Sequence, residues 1–202
     1  YYPTGLCKRC GNVQQTKYYN EQTITDFYSN YYRKIYSNTP PGVLFRHQKR
    51  LGKVIYDFVP EVKKTFSVLE VGCGAGGILS FFNDKGCETL GLDFDNRYLD
   101  YARKKNIKVL NGSLEMLKKN QKFDLIIMRH VLEHIVNPLN FLEDLVKYLK
   151  KEGILYIEVP SLELVRDGGY NYDLLNYWQN AHSIHFTVKS LHLLCNQAGL
   201  KS

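Results

Sequence analysis

The stretch Val68-Leu69-Glu70-Val71-Gly72-Cys73-Gly74-Ala75-Gly76-Gly77 decides the fold. A short apolar run, the length of one strand, carries an acid near its end and opens into a glycine-rich turn. Gly72, Gly74 and Gly76 can take backbone angles that a side chain forbids, and without Cβ atoms they let a ligand lie against the main chain. From Phe66 onward the chain alternates two rhythms. β-branched or leucine-rich runs at 67–71, 89–92, 108–110, 123–128 and 153–159 predict strands. Amphipathic segments at 77–85, 96–105, 113–119, 131–135 and 138–150 predict helices between them. Such alternation requires parallel strands joined by right-handed crossovers, hence an α/β, doubly wound, mostly parallel sheet of the Rossmann-like kind. Ligands of such sheets gather at the carboxyl ends of the strands.

The 202 residues, 44% of them apolar, suffice for one sizeable core and an appendage. No apolar run approaches the ~20 residues of a membrane helix, and no signal peptide opens the chain, so the expected setting is the cytoplasm. The first residue is Tyr rather than Met, which is expected of a clipped chain. A formal charge of +7 is spread over scattered pairs such as Lys104-Lys105 and Lys118-Lys119, the pattern of a solvated surface. An anionic small molecule suits that excess; without an arginine-rich stripe, nucleic acid is not the expected partner.

Residues 1–60 read as an N-terminal arm and residues 61–202 as the cofactor-binding domain. In the arm, Cys7-Lys8-Arg9-Cys10-Gly11 has the spacing of a zinc knuckle, but a structural zinc needs four ligands and only this pair is visible, so either the other pair precedes Tyr1 or the knuckle is a vestige. Phe27, Tyr28, Tyr31, Tyr32, Ile35 and Tyr36 fall largely on one face of a predicted helix that Thr39-Pro40-Pro41-Gly42 stops. A second helix is predicted over 43–59, burying Leu44, Leu51, Val54, Ile55 and Phe58, with Pro60 near its end. Cys73, Cys87 and Cys195 lie in or beside apolar segments, as small buried residues of a reduced protein do. A last helix follows 160–185, capped by Thr187 and ended by Gly199.

Gly72, Gly74 and Gly77 satisfy G-x-G-x-x-G, and Asp93 closes the next strand, which alone would fit a dinucleotide. Glu70, two residues before the first glycine, would repel a pyrophosphate. S-adenosylmethionine carries no phosphate but an ammonium and a sulfonium, which an acid attracts. Downstream, Phe123-Asp124-Leu125-Ile126-Ile127-Met128-Arg129-His130-Val131-Leu132-Glu133-His134 runs from a strand toward a helix. Together with Gly91-Leu92-Asp93, Gly112-Ser113-Leu114 and Leu149-Lys150-Lys151-Glu152-Gly153-Ile154-Leu155, these motifs resemble, in order, those of class I S-adenosylmethionine-dependent methyltransferases over about residues 67–160.

The resemblance implies that S-adenosylmethionine is held by Glu70, Gly72, Cys73, Gly74, Gly76, Asp93, Phe94, Ser113, Leu114 and Arg129. Glu70 and the loop would line the methionine part, Asp93 would accept from the ribose hydroxyls, and Phe94 would pack on adenine. Ser113 stands where the family often has an acid for the adenine amino group. Arg129 and His130 would face the methionine end or the acceptor, while Glu133 and His134 are expected to cap or orient the following helix, Asp124 to organise the strand entrance, and Tyr98 and Tyr101 to pack their helix. His130, His182 and His185 are the candidate catalytic bases, the last two near Trp178.

The N-terminal knuckle and aromatic helix are also similar to methyltransferases of nucleotide-linked deoxysugars, whose E-H…F-S segment corresponds to Ala181-His182…Phe186-Thr187 here. Ala181 replaces the glutamate, so O- or N-methylation of a sugar or related small molecule is expected alongside carbon methylation. The expected partner is that small-molecule acceptor; an RNA or protein acceptor, and a non-catalytic cofactor-binding scaffold, are the alternatives. The resemblance implies two further strands after the last helix, and residues 1–202 are expected to lack them.

Overall fold

The computed structural model describes residues 3–18, 20–36, 38–59, 62, 65–169, 177 and 181–201, with the backbone alone at 21, 25, 33 and 36. Trp178 and Pro60, singled out above, lie outside them. The chain divides into two compact units, one of residues 1–21, 129–147 and 157–202, the other of residues 22–128 and 148–156.

The sheet has five strands, β3 (Ser67–Val71), β4 (Glu88–Asp93), β5 (Val109–Asn111), β6 (Phe123–Arg129) and β7 (Leu149–Glu158), in the order β5-β4-β3-β6-β7. β3 pairs in parallel with both β4 and β6, and β4 with β5. The order reverses between β3 and β6, so the carboxyl ends of those two strands flank the switch point at which doubly wound sheets bind ligands. Leu125 and Ile127 of β6 pack with Val68 of β3 and with Ile78, Leu79 and Phe82 of α4 (Gly77–Asp84) in one buried cluster. Asp124 organises the strand entrance as expected: its Oδ2 accepts from Ser67 N and Oγ, both at 2.8 Å, and from Lys150 Nζ at 2.7 Å.

Against α4 lies α3 (Pro41–Phe58), which has Pro41 at its first turn, where no N–H is needed. Its buried residues are Gln48, Gly52 and Ile55, whereas Val54 is 60% and Phe58 74% exposed, contrary to the predicted face. Gly52 explains the rotation. A Cβ there would stand 2.7 Å from Phe81 Cβ, so the absence of a side chain sets the line of closest approach. The α5 helix (Asn96–Lys104) is capped by Asp95, whose Oδ1 accepts from Arg97 N. It buries Tyr98 and Leu99, and Tyr98 Oη donates to Thr39 O at 2.6 Å.

Three other predicted helices differ. The aromatic stripe forms α1 (Glu21–Asn30) and α2 (Tyr32–Tyr36), with a turn at Tyr31 closed by an i→i+3 bond from Lys34 N. Phe27, Tyr28 and Tyr32 cluster, while Tyr31 and Ile35 stay exposed. The segment 113–119 keeps only a 3-10 turn, Leu114–Met116, because Leu117 is already extended. The predicted helix 138–150 is α6 (Pro138–Val146); residues 149–151 belong to β7 instead, drawn into the sheet by the bond from Phe123 N to Tyr148 O.

The unit containing the N-terminus holds a second sheet, antiparallel, of β1 (Thr4–Leu6), β2 (Val13–Gln15) and β8 (Ile184–His185), in that order. The Cys7–Asn12 turn thus joins a hairpin. α8 (Val188–Gln197) is capped by Thr187, as expected, in a reciprocal capping box with Ser190, and a further helix, α7 (Leu162–Arg166), is capped by Ser161. Among the described residues, no helix is long and apolar enough to cross a membrane.

Candidate functional site

The glycine loop follows β3. Gly72, Gly74 and Gly76 have φ of 74°, 52° and 77°, the left-handed conformation that glycine takes without a steric cost. The loop is held by its own amides. Gly72 N and Cys73 N both donate to Leu92 O, at 2.8 and 2.9 Å, and Gly76 N to Cys73 O at 2.9 Å. Gly74 N donates to Asp93 Oδ2 at 2.7 Å. Gly77 N donates to Gln48 Oε1 at 3.3 Å, and Gln48 Nε2 to Cys73 O at 3.0 Å. A pyrophosphate cradle presents such N–H groups to its ligand; here they are engaged within the protein.

Two carboxylates stand beside this loop, Glu70 before it and Asp93 on Gly74. Glu70 on β3 is 1% exposed. Asp93 at the end of β4 is also buried, and its Oδ1 accepts from Asp95 N at 2.9 Å. Asp93 therefore shapes the loop as well as standing where a ribose contact was expected. Phe94 is half-buried and its carbonyl accepts from Asn111 Nδ2. Ser113 N donates to Glu115 Oε1, and Leu114 is buried beside it. Cys73 is wholly buried against Gly91, where a Cβ would come within 2.6 Å of its sulfur. Gln48 was missed from the sequence; its signal is a polar residue inside the apolar stripe Leu44, Gln48, Leu51, Ile55.

The second cluster begins at the carboxyl end of β6, in the other unit. His130 has φ of 52°, an uncommon conformation for a residue with a side chain, and its N–H donates to Glu158 O at 2.9 Å. Its Nδ1 lies 3.3 Å from Glu133 Oε1 and its Nε2 3.5 Å from Glu158 Oε1. Desolvation pushes the His130 pKa down, but these two carboxylates outweigh it and raise it to about 9. With 41% of the side chain open to solvent, the carboxylates set its charge. Arg129 Nε stands 2.9 Å from Glu158 Oε1, an ion pair by distance without the alignment of a hydrogen bond. Desolvation raises the Glu158 pKa; His130 and Arg129 bring it down to about 2.

Of the expected role, to cap or orient the helix, capping is not seen: Glu133 and His134 lie in the 3-10 turn Leu132–His134 and are largely buried, and α6 has no side-chain cap bond. Glu133 is 1% exposed, and its Oε2 is buried without a hydrogen-bond partner among the described residues. His134 Nδ1 bonds Ala181 O at 2.9 Å, and His182 Nδ1 bonds Tyr177 O at 2.8 Å. Because a carbonyl only accepts, each Nδ1 carries the proton and each neutral ring keeps its lone pair on Nε2. Burial, then the nearby His134, lower the His182 pKa to about 4; burial lowers that of His185 to about 4 as well. At neutral pH His182 and His185 are uncharged, whereas His130 is an imidazolium and no base.

The histidine segment is held from the N-terminus. Gln15 N donates to Ser183 O and Gln15 Nε2 to His182 O, while Val13 pairs with His185 in the ladder. Thr187 Oγ1 donates to Cys10 O. Cys7 and Cys10 are free thiols; the Cys10 N–H and then its thiol lower the Cys7 pKa. Among the described residues no further His, Cys, Asp or Glu joins them in a metal-holding group. A cavity of about 530 Å³ lies between this turn and α8, lined by Cys7, Cys10, Ile184, Phe186 and Leu194 but not by the histidines.

The chain matches a family model described as a methyltransferase domain over residues 44–202. It is 34% identical over 96 residues to a ubiquinone biosynthesis O-methyltransferase of Rickettsia bellii, covering 45% of this chain and 40% of that protein. The chain thus spans about two fifths of the length of the first such relatives. Among solved structures it superposes on an S-adenosylmethionine-dependent methyltransferase from Archaeoglobus fulgidus with a TM-score of 0.62 at 21% identity, over 77% of this chain and 70% of that one. It superposes equally, TM-score 0.62 and 21% identity over 86% and 72% of the chains, on the plantazolicin methyltransferase BpumL in complex with S-adenosylhomocysteine. With this match over residues 44–202, on a five-stranded sheet in the order β5-β4-β3-β6-β7, the chain belongs to the methyltransferase domain family.

Proposed function

We propose that the protein transfers the methyl group of S-adenosylmethionine to a hydroxyl of a small molecule. The observation that carries the donor half is the glycine loop, whose Gly72, Cys73, Gly74, Gly76 and Gly77 amides are bonded within the protein while Glu70 precedes it and Asp93 bonds Gly74. Such a loop disfavours a pyrophosphate and favours a cationic ligand without phosphate. Asp93 accepts from the ribose hydroxyls, Glu70 and residues 72–76 bind the methionine part, and Phe94, Ser113 and Leu114 the adenine.

For the acceptor, the Glu133, His134 and His182 lone pairs are the groups that activate a hydroxyl, and His130 orients Glu133. The acceptor oxygen bonds the methyl carbon as the carbon–sulfur bond breaks; the sulfur leaves as a neutral thioether and the hydroxyl loses its proton. Oxygen is chosen over carbon because Ala181 supplies no second acid beside His182, and curated relatives carry the name O-methyltransferase. The acceptor classes that follow are a phenol, as those names suggest, and a nucleotide-linked sugar, which the Cys7–Gly11 turn and the segment 181–187 suggest.

Thermal shift with S-adenosylhomocysteine against NAD tests the donor, and isotope transfer from methyl-labelled S-adenosylmethionine to catechols, phenols and nucleotide sugars tests the acceptor. Stabilisation by NAD alone would reject the reading. Label in RNA or protein only would reject its acceptor half.

A further inference from the structure

We propose that Glu133, His134 and His182 hold one first-row divalent cation. One ligand atom from each lies within 4.8 Å of the others, and this is the group of that kind among the described residues. Glu133 Oε1 and His134 Nε2 are 4.0 Å apart, and the two imidazole rings stand 4.9 Å centre to centre at 63°. Ligands about 2.1 Å from one cation lie roughly 3.0–3.5 Å from one another, so loading requires a contraction within the reach of side-chain rotation.

Three features favour a cation over mere packing. Both histidines send Nδ1–H to a backbone carbonyl, Ala181 O and Tyr177 O, which fixes each ring with its Nε2 lone pair turned away from that anchor. Metal-bound histidines are oriented in the same way. Glu133 is 1% exposed, and its Oε2 is a buried oxygen without a hydrogen-bond partner among the described residues, while Oε1 is engaged by His130. A buried carboxylate oxygen left without a donor is costly unless something cationic reaches it. The group also spans two segments 48 residues apart in sequence, joined by the bond from His134 to Ala181.

Two imidazole nitrogens and one carboxylate suit zinc, iron, cobalt or manganese rather than calcium or magnesium, which prefer all-oxygen sets. Three protein ligands leave a position open. If the proposed hydroxyl methylation holds, on which this role alone rests, the acceptor oxygen occupies that position, the cation replaces direct contact with these lone pairs in activating it, and the acidified proton passes to water.

The test is cobalt(II) titration of metal-stripped protein, followed by visible absorption and by metal content after equilibrium dialysis. One cobalt per chain is expected, without the near-ultraviolet charge-transfer bands of a thiolate ligand. Binding should survive Cys7→Ser with Cys10→Ser and weaken about 100-fold or more in His182→Ala and Glu133→Gln. S-adenosylhomocysteine binding by calorimetry in the same samples reports that each variant is folded. Failure of the wild-type protein to bind cobalt would overturn the site, as would binding that follows the cysteines and ignores His182. Cobalt bound at this site in a protein that methylates no hydroxyl upholds the site and rejects the acceptor reading.

Discussion

At the scale of single residues, the loop depends on two side chains with different visibility. Asp93 bonds Gly74 N and Asp95 N, so it shapes the loop before any ligand arrives. Asp93→Ala should weaken S-adenosylhomocysteine binding by roughly 1–3 kcal/mol in calorimetry, and Asp93→Asn by less. Unchanged affinity would remove Asp93 from the cofactor site. Gln48 reaches the same loop from α3, bonding Cys73 O and Gly77 N. Gln48→Ala leaves both buried groups without this partner and should cost roughly 1–3 kcal/mol in urea unfolding. Gln48→Leu, which fills the space without the bonds, should recover little of it. Asp93 was legible because it closes a strand after a glycine motif; Gln48 was not, because its partner is 25 residues away and only helix packing brings them together.

Between elements, two contacts set the geometry. Gly52→Ala should destabilise the fold by roughly 1–3 kcal/mol, since a methyl there meets Phe81 Cβ at 2.7 Å and Ile78 O at 3.1 Å. Helix propensity alone predicts the opposite sign, so the direction of the change in urea midpoint decides between packing and propensity. At the other end of the sheet, Asp124 binds the start of β3 through Ser67 and β7 through Lys150. Burial raises its pKa, but Lys150 and Ser67 overcome this and hold it below the ordinary carboxylate value. A depressed folded-state pKa contributes stability above the unfolded value, lost as the pH falls through the folded one. Asp124→Asn should therefore be less stable than wild type at neutral pH, with the gap in urea midpoint closing under acid conditions. A gap independent of pH would mean that the charge is not what counts.

Over the whole molecule, ligand binding provides the measure. If S-adenosylhomocysteine binds the folded chain alone, a concentration 100 times its Kd adds about 2.7 kcal/mol to unfolding, with a melting temperature that rises with ligand concentration. NAD at equal concentration should leave the melting temperature unmoved. The two compact units divide the candidate residues: the glycine loop, Asp93 and Ser113 in one, Arg129 to His134 and His182 to His185 in the other. Neither unit is continuous in sequence, which is why composition along the chain does not reveal them.

The local sequence determined the alternation of strands and helices, the glycine loop, Asp93, Asp124 and the Thr187 cap, because each rests on neighbours a few residues apart. Turn chemistry, periodicity and capping act within that range. Only the tertiary structure decided the rotation of α3, the bonding of Gln48, the pairing of β2 with the histidine segment, and the meeting of Glu133 and His134 with His182. Those contacts join residues tens to more than a hundred positions apart. Their partners are chosen by sheet order and close packing, which no window of sequence contains.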